Sequence, residues 1–257
     1  MVISWLAEHY QILLLVPIGV VAGYLNVMAG GGSLLTVPAL IFLGIPGHVA
    51  NGTNRIAILA QNITAVSTFY RRGFHDFKLG LTLAACAVPG GILGAWMGVQ
   101  IQGEWFNRFL SGVMILVMLL MAGDGKKKST PEGESTDPKN LVLGHFLMFG
   151  AGVYGGIIQI GVGFILMSIL YRVMGINLVR VNMYKVLIVL CYTIAALAVF
   201  ASQLELFWVA GLALAVGNSI GGWLGANYSI NKGEAMIRRV LNIVLVGVII
   251  KLLFFSG

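Results

Sequence analysis

Apolar residues fall in long runs along the chain, at about 11–28, 33–43, 51–70, 78–100 and 105–121, and again at about 141–158, 162–173, 181–201, 206–227 and 235–255. A membrane-crossing helix needs about 20 such residues, and the second run of each set is only about half that. Glycines set off both short runs: Gly30-Gly31-Gly32 precedes Ser33 in the first set, and Gly161 and Gly163 bracket the corresponding point in the second. Backbone interrupted at membrane depth is tolerated only where it is buried in protein or lines a cavity. A helix restarting at Ser33 points its unpaired N–H groups and positive dipole end back at the glycines, which makes a seat for an anion. The alternative is a kink or a close packing point between helices.

The two sets are one pattern repeated. At a constant offset of 131 residues, Gly19 matches Gly150, Gly30 matches Gly161, Gly32 matches Gly163, Gly44 matches Gly175 and Asn51 matches Asn182. Further along, Gly80 matches Gly211, Gly90-Gly91-x-Leu93-Gly94-Ala95 matches Gly221-Gly222-x-Leu224-Gly225-Ala226, and Arg108 matches Arg239. No gap is needed, so the pattern reads as a duplication: a first transmembrane repeat over 1–121, a polar linker over 122–140 with Lys126-Lys127-Lys128, and a second repeat over 141–257. Duplicated halves are a common plan for secondary transporters.

Composition fixes the class. The chain of 257 residues is 58% hydrophobic and 10% charged, with a mean hydropathy of +0.93. That is an all-α polytopic membrane protein. Its 35 glycines suit closely packed transmembrane helices. Cys86 and Cys191 lie inside apolar runs and read as small packing residues, without disulfide or metal spacing. Met1 to Tyr10 lacks a basic start, so no cleaved signal peptide is expected. The net charge of +7 is mostly membrane-flanking Lys and Arg, and no basic face interleaved with aromatics points to nucleic acid.

The placement of charge says more than its sum. All nine acidic residues fall in loops or at run ends, whereas Arg55 and Lys185 sit several residues inside apolar runs. The intramembrane inventory is basic and polar, which argues against a cation site or carboxylate proton relay and fits an anion. Loop charge also bears on topology. Arg71-Arg72 through Lys78 is basic and its repeat equivalent, Ser202 to Phe207, carries only Glu205; the next link, holding Glu104 and Arg108, is nearly neutral, while its equivalent carries Lys232, Arg238 and Arg239. The bias changes sides, which the positive-inside rule reads as inverted repeats with Arg71, the linker and Arg238 cytoplasmic. Inversion needs an odd number of crossings per repeat. Runs 11–28 and 33–43 either form a re-entrant hairpin, leaving three, or two crossings, giving five; one broken crossing would give four and a same-way repeat.

Inverted repeats would bring the two breaks together at mid-membrane, where substrate sites of such proteins lie. The candidate binding residues are Asn26, Gly31, Gly32 and Ser33 at the first break and Gln159, Gly161 and Gly163 at the second, with Tyr154 nearby. The next run of each repeat opens on a polar cluster, Asn51-Gly52-Thr53-Asn54-Arg55 and Asn182-Met183-Tyr184-Lys185. Arg55 offers several donors to an oxyanion and Lys185 a point charge; the alternative is that both snorkel to the interface. Asn51 and Asn182 serve the site or cap their helices, and Gln159 donates to an anion or bonds a neighbouring helix. Gln61, Asn62, Tyr192 and Thr193 line the path or bond across helices. The stripes Gly90-x-x-x-Gly94-x-x-x-Gly98 and Gly217-x-x-x-Gly221-x-x-x-Gly225 read as close helix packing, and Trp105 and Trp208 as interface anchors. The four histidines have no metal-ligand spacing, no nucleophile–base set lies at depth, and a phosphate loop ending in GK[ST] is absent. Neither an enzyme nor a cofactor is expected, and this chain alone is not an ATP-driven pump.

One family carries these residues together. Gly19-x-x-x-Gly23-x-x-Asn26-x-x-Ala29-Gly30-Gly31-Gly32-Ser33-Leu34-Leu35-x-Val37-Pro38-Ala39-Leu40, then Leu43-Gly44-Ile45-Pro46-x-His48-Val49-Ala50-x-Gly52-Thr53-Asn54, resembles the sulfite exporter TauE/SafE family, also called the 4-toluenesulfonate uptake permeases. Arg71-Arg72-Gly73-x-x-Asp76, Pro89-Gly90-Gly91 and Tyr154-Gly155-Gly156 are similar to it too, so the resemblance covers nearly the whole chain. It implies a bacterial inner-membrane transporter of sulfur-containing anions: sulfite, sulfoacetate, sulfolactate or arylsulfonates. The second break departs from the family, with Gln159-Ile160-Gly161-Val162-Gly163 in place of a Gly-Pro-Gly-Thr-Gly-like run. The expectation is a multi-pass secondary transporter that moves a small sulfur oxyanion, sulfite or an organosulfonate such as sulfoacetate, outward across the inner membrane, as a monomer or an oligomer. An anion channel of the same fold and an accessory membrane subunit are the alternatives.

Overall fold

The computed structural model describes residues 12–101 and 138–255, with Gly103 and Gly112, and beyond residue 232 it describes the helical backbone alone. The apolar run 105–121, save Gly112, and linker residues 122–137 lie outside the described residues. Among the described residues every element is a helix: α1 Leu15–Met28, α2 Ser33–Phe42, α3 Gly47–Arg71, α4 Lys78–Gln100, α5 Leu141–Ile157, α6 Val162–Ser168 with a π-helical turn Ile169–Val173, α7 Leu178–Gln203 and α8 Trp208–Phe255.

Local chemistry sets most boundaries. Gly44 and Gly175 adopt φ +84° and +71°, the left-handed conformation that ends α2 and the π turn after α6. Pro46 sits just ahead of α3 with φ −54° and ψ 139°, an extended residue preset for a helix start. Asn177 precedes α7 and its side chain accepts from the Val179 N–H, an N-cap. Both helices therefore begin before the apolar runs do, and Asn51 and Asn182 lie inside helices rather than at their caps. A second correction concerns the last two runs, 206–227 and 235–255, which form the single helix α8. The polar stretch between them holds one glycine and no proline, and a lone glycine costs only about 1 kcal/mol in a helix.

The helices of the two sequence sets intertwine. Helix α1 lies along α8 in the same direction, with Gly19 against Leu214, Gly217 against Val16 and Gly225 against Val27. Helix α4 lies along α5 likewise, with Gly90, Gly94 and Gly98 facing the carbonyls of Phe149, Val153 and Ile157. The glycine stripes thus serve close packing, as small residues do between membrane helices. A Cβ at Gly94 would stand 2.0 Å from the Val153 carbonyl oxygen, whereas one at Gly150 meets nothing within 4 Å. Gly94→Ala is expected to cost about 1–3 kcal/mol by overpacking, and Gly150→Ala to cost nothing; thermal melting of the two variants in detergent checks the contrast.

One end of the bundle is marked by Arg72 donating to Asn227 at 2.6 Å, Tyr184 donating to Asp76 at 3.4 Å, His145 meeting Thr82 at 3.1 Å and Asn140 donating to the Val173 carbonyl at 3.0 Å. The opposite end is marked by the Phe207 N–H donating to Thr53 Oγ1 at 3.2 Å. Helices α1 and α2 start and finish at the Phe207 end, whereas α5 and α6 start and finish at the Arg72 end. With 14 residues in α1 and 10 in α2, neither reaches across a bilayer core of about 30 Å at about 1.5 Å per residue. Helices α4, α7 and the Trp208–Lys232 part of α8 are long and apolar enough to cross. Helix α3 has the length, but its polar residues lower its hydropathy.

Candidate functional site at the helix breaks

Both breaks are built by left-handed backbone. Gly30 turns the chain out of α1 with φ +92°, and Gln159 and Gly161 turn it out of α5 with φ +56° and +71°. The breaks then meet backbone to backbone. A Cβ on Gly30 would stand 2.5 Å from the Gly163 carbonyl carbon, and one on Gly163 would stand 2.3 Å from Gly30 Cα. Only glycine fits at either position. Helices α2 and α6 restart here, with Leu34 N–H bonded to the Gly31 carbonyl and Phe164 N–H to the Gly161 carbonyl. Among the described residues, no backbone hydrogen bond reaches the N–H groups of Gly31, Gly32, Ser33, Gly161 or Gly163, and all five residues are buried.

The two intramembrane cations stand at the helix ends on the other side of the breaks. Arg55 is fully buried. Its Nη1 donates to the Gly155 carbonyl and to Gln159 Oε1, both at 3.1 Å, its Nη2 donates to the Gly156 carbonyl at 2.5 Å, and its guanidinium stacks over Phe200 at 4.3 Å. Those carbonyls are the C-terminal end of α5. Lys185 is 2% exposed, and its Nζ donates to the Asn26 and Val27 carbonyls at 3.1 and 2.6 Å and to Asn182 Oδ1 at 2.9 Å. Those carbonyls are the C-terminal end of α1. Each cation on one sequence set's third helix thus caps the broken first helix of the other. Neither side chain snorkels.

The electrostatic balance is positive. A helix C-terminus carries roughly half a negative charge and an N-terminus half a positive one. Two cations, two C-termini and two N-termini therefore leave about two positive charges around the breaks. Among the described residues the acids Asp76 and Glu205 are exposed at opposite ends, and no carboxylate approaches Arg55 or Lys185.

Polar side chains complete the surroundings. Gln159 Nε2 donates to Thr193 Oγ1 at 3.0 Å, and Tyr154 donates to the Ile160 carbonyl. Asn26 and Asn218 both donate to Gln61 Oε1, at 3.2 and 3.4 Å. Asn51 donates to the Ile157 carbonyl at 2.9 Å, Asn54 to Ser33 Oγ at 3.4 Å and Asn182 to Ser229 Oγ at 3.2 Å. Several buried polar atoms have no hydrogen-bond partner among the described residues, including the donors Arg55 Nε, Tyr192 OH and Gln61 Nε2.

Most residues expected at the site therefore come together: Asn26, Gly31, Gly32, Ser33, Asn51, Asn54, Arg55, Gln159, Gly161, Gly163, Asn182 and Lys185 surround the two breaks. Thr53 and Tyr184 do not. The Thr53 hydroxyl accepts from Phe207 at one end of the bundle, and the Tyr184 hydroxyl points to Asp76 at the other. Sequence reasoning passed over Phe200, Asn218 and Ser229. Of these, Asn218 and Ser229 carry a legible signal, a polar residue within or bordering an apolar run.

The chain matches the sulfite exporter TauE/SafE family over residues 15–252. Curated relatives include a probable membrane transporter protein, ORF9, of Sinorhizobium, 26% identical over 91% of this chain and 88% of the relative. Others are a probable membrane transporter protein of Haemophilus influenzae, 25% identical over 93% of each chain, and the probable membrane transporter protein YfcA of Escherichia coli, 27% identical over 93% of this chain and 88% of the relative. No solved structure matches. With paired apolar helices, a break in each sequence set and a family match across nearly its whole length, the chain is a membrane transporter of the sulfite exporter TauE/SafE family.

Proposed function

We propose that the protein is a multi-pass carrier of the bacterial inner membrane, built from two inverted repeats, that binds a small sulfur oxyanion between the helix breaks and moves it outward. The observation that carries this reading is the pair of buried cations, Arg55 and Lys185, beside two converging helix N-termini with no carboxylate among the described residues to balance them. A buried charge is costly unless it is paired. An oxyanion supplies the missing charge and accepts from the unbonded N–H groups of Gly31, Gly32, Ser33, Gly161 and Gly163.

Inversion is supported by the opposite entry of the two hairpins, α1–α2 from the Phe207 end and α5–α6 from the Arg72 end. Orientation is supported by charge. Arg71, Arg72, Lys78, Lys139, Arg172, Arg180 and Lys232 belong to the Arg72 end, which makes that end cytoplasmic under the positive-inside rule. An inside-negative potential then drives an anion outward by about 2.3 kcal/mol per charge per 100 mV. The backbone contact of Gly30 with Gly163 favours a carrier over a channel, and the rocking of one hairpin against the rest gives alternating access.

The test is a thermal-shift screen of sulfite, thiosulfate, methanesulfonate, sulfoacetate and carboxylates, followed by flux in proteoliposomes. Stabilisation by sulfur oxyanions and saturable flux that exchanges against internal anion are expected. Flux linear in concentration would make the protein a channel, and no stabilisation by any anion would leave it an accessory subunit.

A further inference from the structure

We infer that Gln159 is the residue that sets anion selectivity, because its carboxamide occupies Arg55 in place of a substrate oxygen; this rests on the anion reading above. Arg55 has five N–H donors. Both hydrogens of Nη1 are used, by the Gly155 carbonyl and Gln159 Oε1, one of Nη2 is used by the Gly156 carbonyl, and Nε has no hydrogen-bond partner among the described residues. The two carbonyls belong to the last turn of α5 and leave only if that helix unwinds. Gln159 Oε1 is on a side chain and leaves by a rotation about single bonds.

The backbone of Gln159 is held in an unusual state. It has φ +56° and is 2% exposed. A residue with a Cβ is disfavoured there, so the surroundings impose the conformation. The residue 131 positions earlier, Met28, is the last residue of α1 and brings no polar group to Lys185. Lys185 meets two side-chain acceptors, Asn182 Oδ1 at 2.9 Å from within α7 and the weakly accepting Met167 sulfur at 3.7 Å. At Arg55, by contrast, the side-chain acceptor comes from the break itself.

A neutral amide oxygen is a weaker acceptor for a guanidinium than a charged one. An anion with several oxygens replaces Gln159 at Nη1 with one oxygen and meets the remaining Nη2 hydrogen with another. A halide has a single centre and cannot do both at once. Gln159 therefore admits multi-oxygen anions and holds off chloride, and its rotation away also gives up the 3.0 Å bond from its Nε2 to Thr193.

The experiment measures binding of methanesulfonate, sulfite and chloride to the full chain in detergent by titration calorimetry. In Gln159→Gly, which removes the competing oxygen and relieves the backbone, methanesulfonate should bind at least tenfold more tightly and chloride binding should become measurable. Gln159→Met, which keeps the bulk of the side chain, should show the same direction. In Gln159→Glu, a tethered carboxylate should lower methanesulfonate affinity at least tenfold, with recovery as pH falls. Weaker or unchanged methanesulfonate binding in Gln159→Gly and Gln159→Met would overturn the inference, because that is the response of a residue that only positions Arg55. An Arg55→Gln variant that binds like the wild type would overturn the anion site itself, whatever the Gln159 variants do. A wild-type protein that binds none of the probes overturns both.

Discussion

Arg55→Ala should abolish exchange of sulfur oxyanions in proteoliposomes, and Lys185→Ala should do the same. Each substitution removes two things. The first is the charge facing an anion at the breaks. A hydrogen bond to a charged group is worth about 1.5–3 kcal/mol, and about 1.4 kcal/mol is a factor of ten, so each bond lost to the anion is expected to cost roughly 10- to 150-fold. The second is the cap on a broken helix. Without Arg55 the Gly155 and Gly156 carbonyls at the end of α5 are left buried, and without Lys185 the Asn26 and Val27 carbonyls at the end of α1. Both variants should therefore also melt earlier. Arg55→Lys tests which loss matters more. A single ammonium cannot serve two carbonyls and Gln159 Oε1 in the planar geometry of a guanidinium, so exchange should stay low while part of the stability returns. Normal exchange in Arg55→Ala or Lys185→Ala would sink the assignment of both cations.

The second large effect is at the contact between the breaks. Gly30→Ala should destabilise the protein by about 3 kcal/mol, from about 1–2 kcal/mol of left-handed strain and about 1–3 kcal/mol of overpacking. Gly44→Ala is the control: its φ is +84°, close to the +92° of Gly30, but a Cβ there meets nothing within 4 Å. It should lose the strain alone. Melting temperatures of the two variants in one detergent give the comparison, and equal losses would mean that the breaks do not touch as described.

Much of this arrangement is written in residue types that have few other uses. Gly30 marks the first break because no other residue combines left-handed backbone with contact between main chains, and at the second break Gly161 supplies the left-handed backbone and Gly163 the contact. The burial of Arg55 is legible as well. Together with Asn51, Asn54 and Asn62 it forms a stripe at helical spacing in α3, so one face of an otherwise apolar helix must turn inward. The partners of the cations are not legible. Both are held mainly by backbone carbonyls, and every residue has a carbonyl, so no pattern of side chains announces which ones will be used. Helix starts were misplaced for a different reason. Apolar runs report which residues face lipid or core, whereas Pro46 and Asn177 report where hydrogen bonding begins, and these differ by a turn. The continuity of α8 escaped because a polar stretch reads as a loop, although polarity alone does not break a helix.

The parallel pairing of α1 with α8 and of α4 with α5 also constrains how the protein is made. Helix α1 leaves the ribosome before the other described helices, yet the surface that covers its glycines belongs to the last of them. During synthesis α1 and α2 are too short to settle as ordinary spans, and they wait for about 200 residues of later chain, a separation that loop-closure entropy makes slow to bridge. Early chains are therefore expected to expose a broken, polar-lined hairpin until the later helices arrive. A cut in the linker should be tolerated if both pieces are produced together, since each supplies the other's missing partner, whereas either piece alone should be degraded.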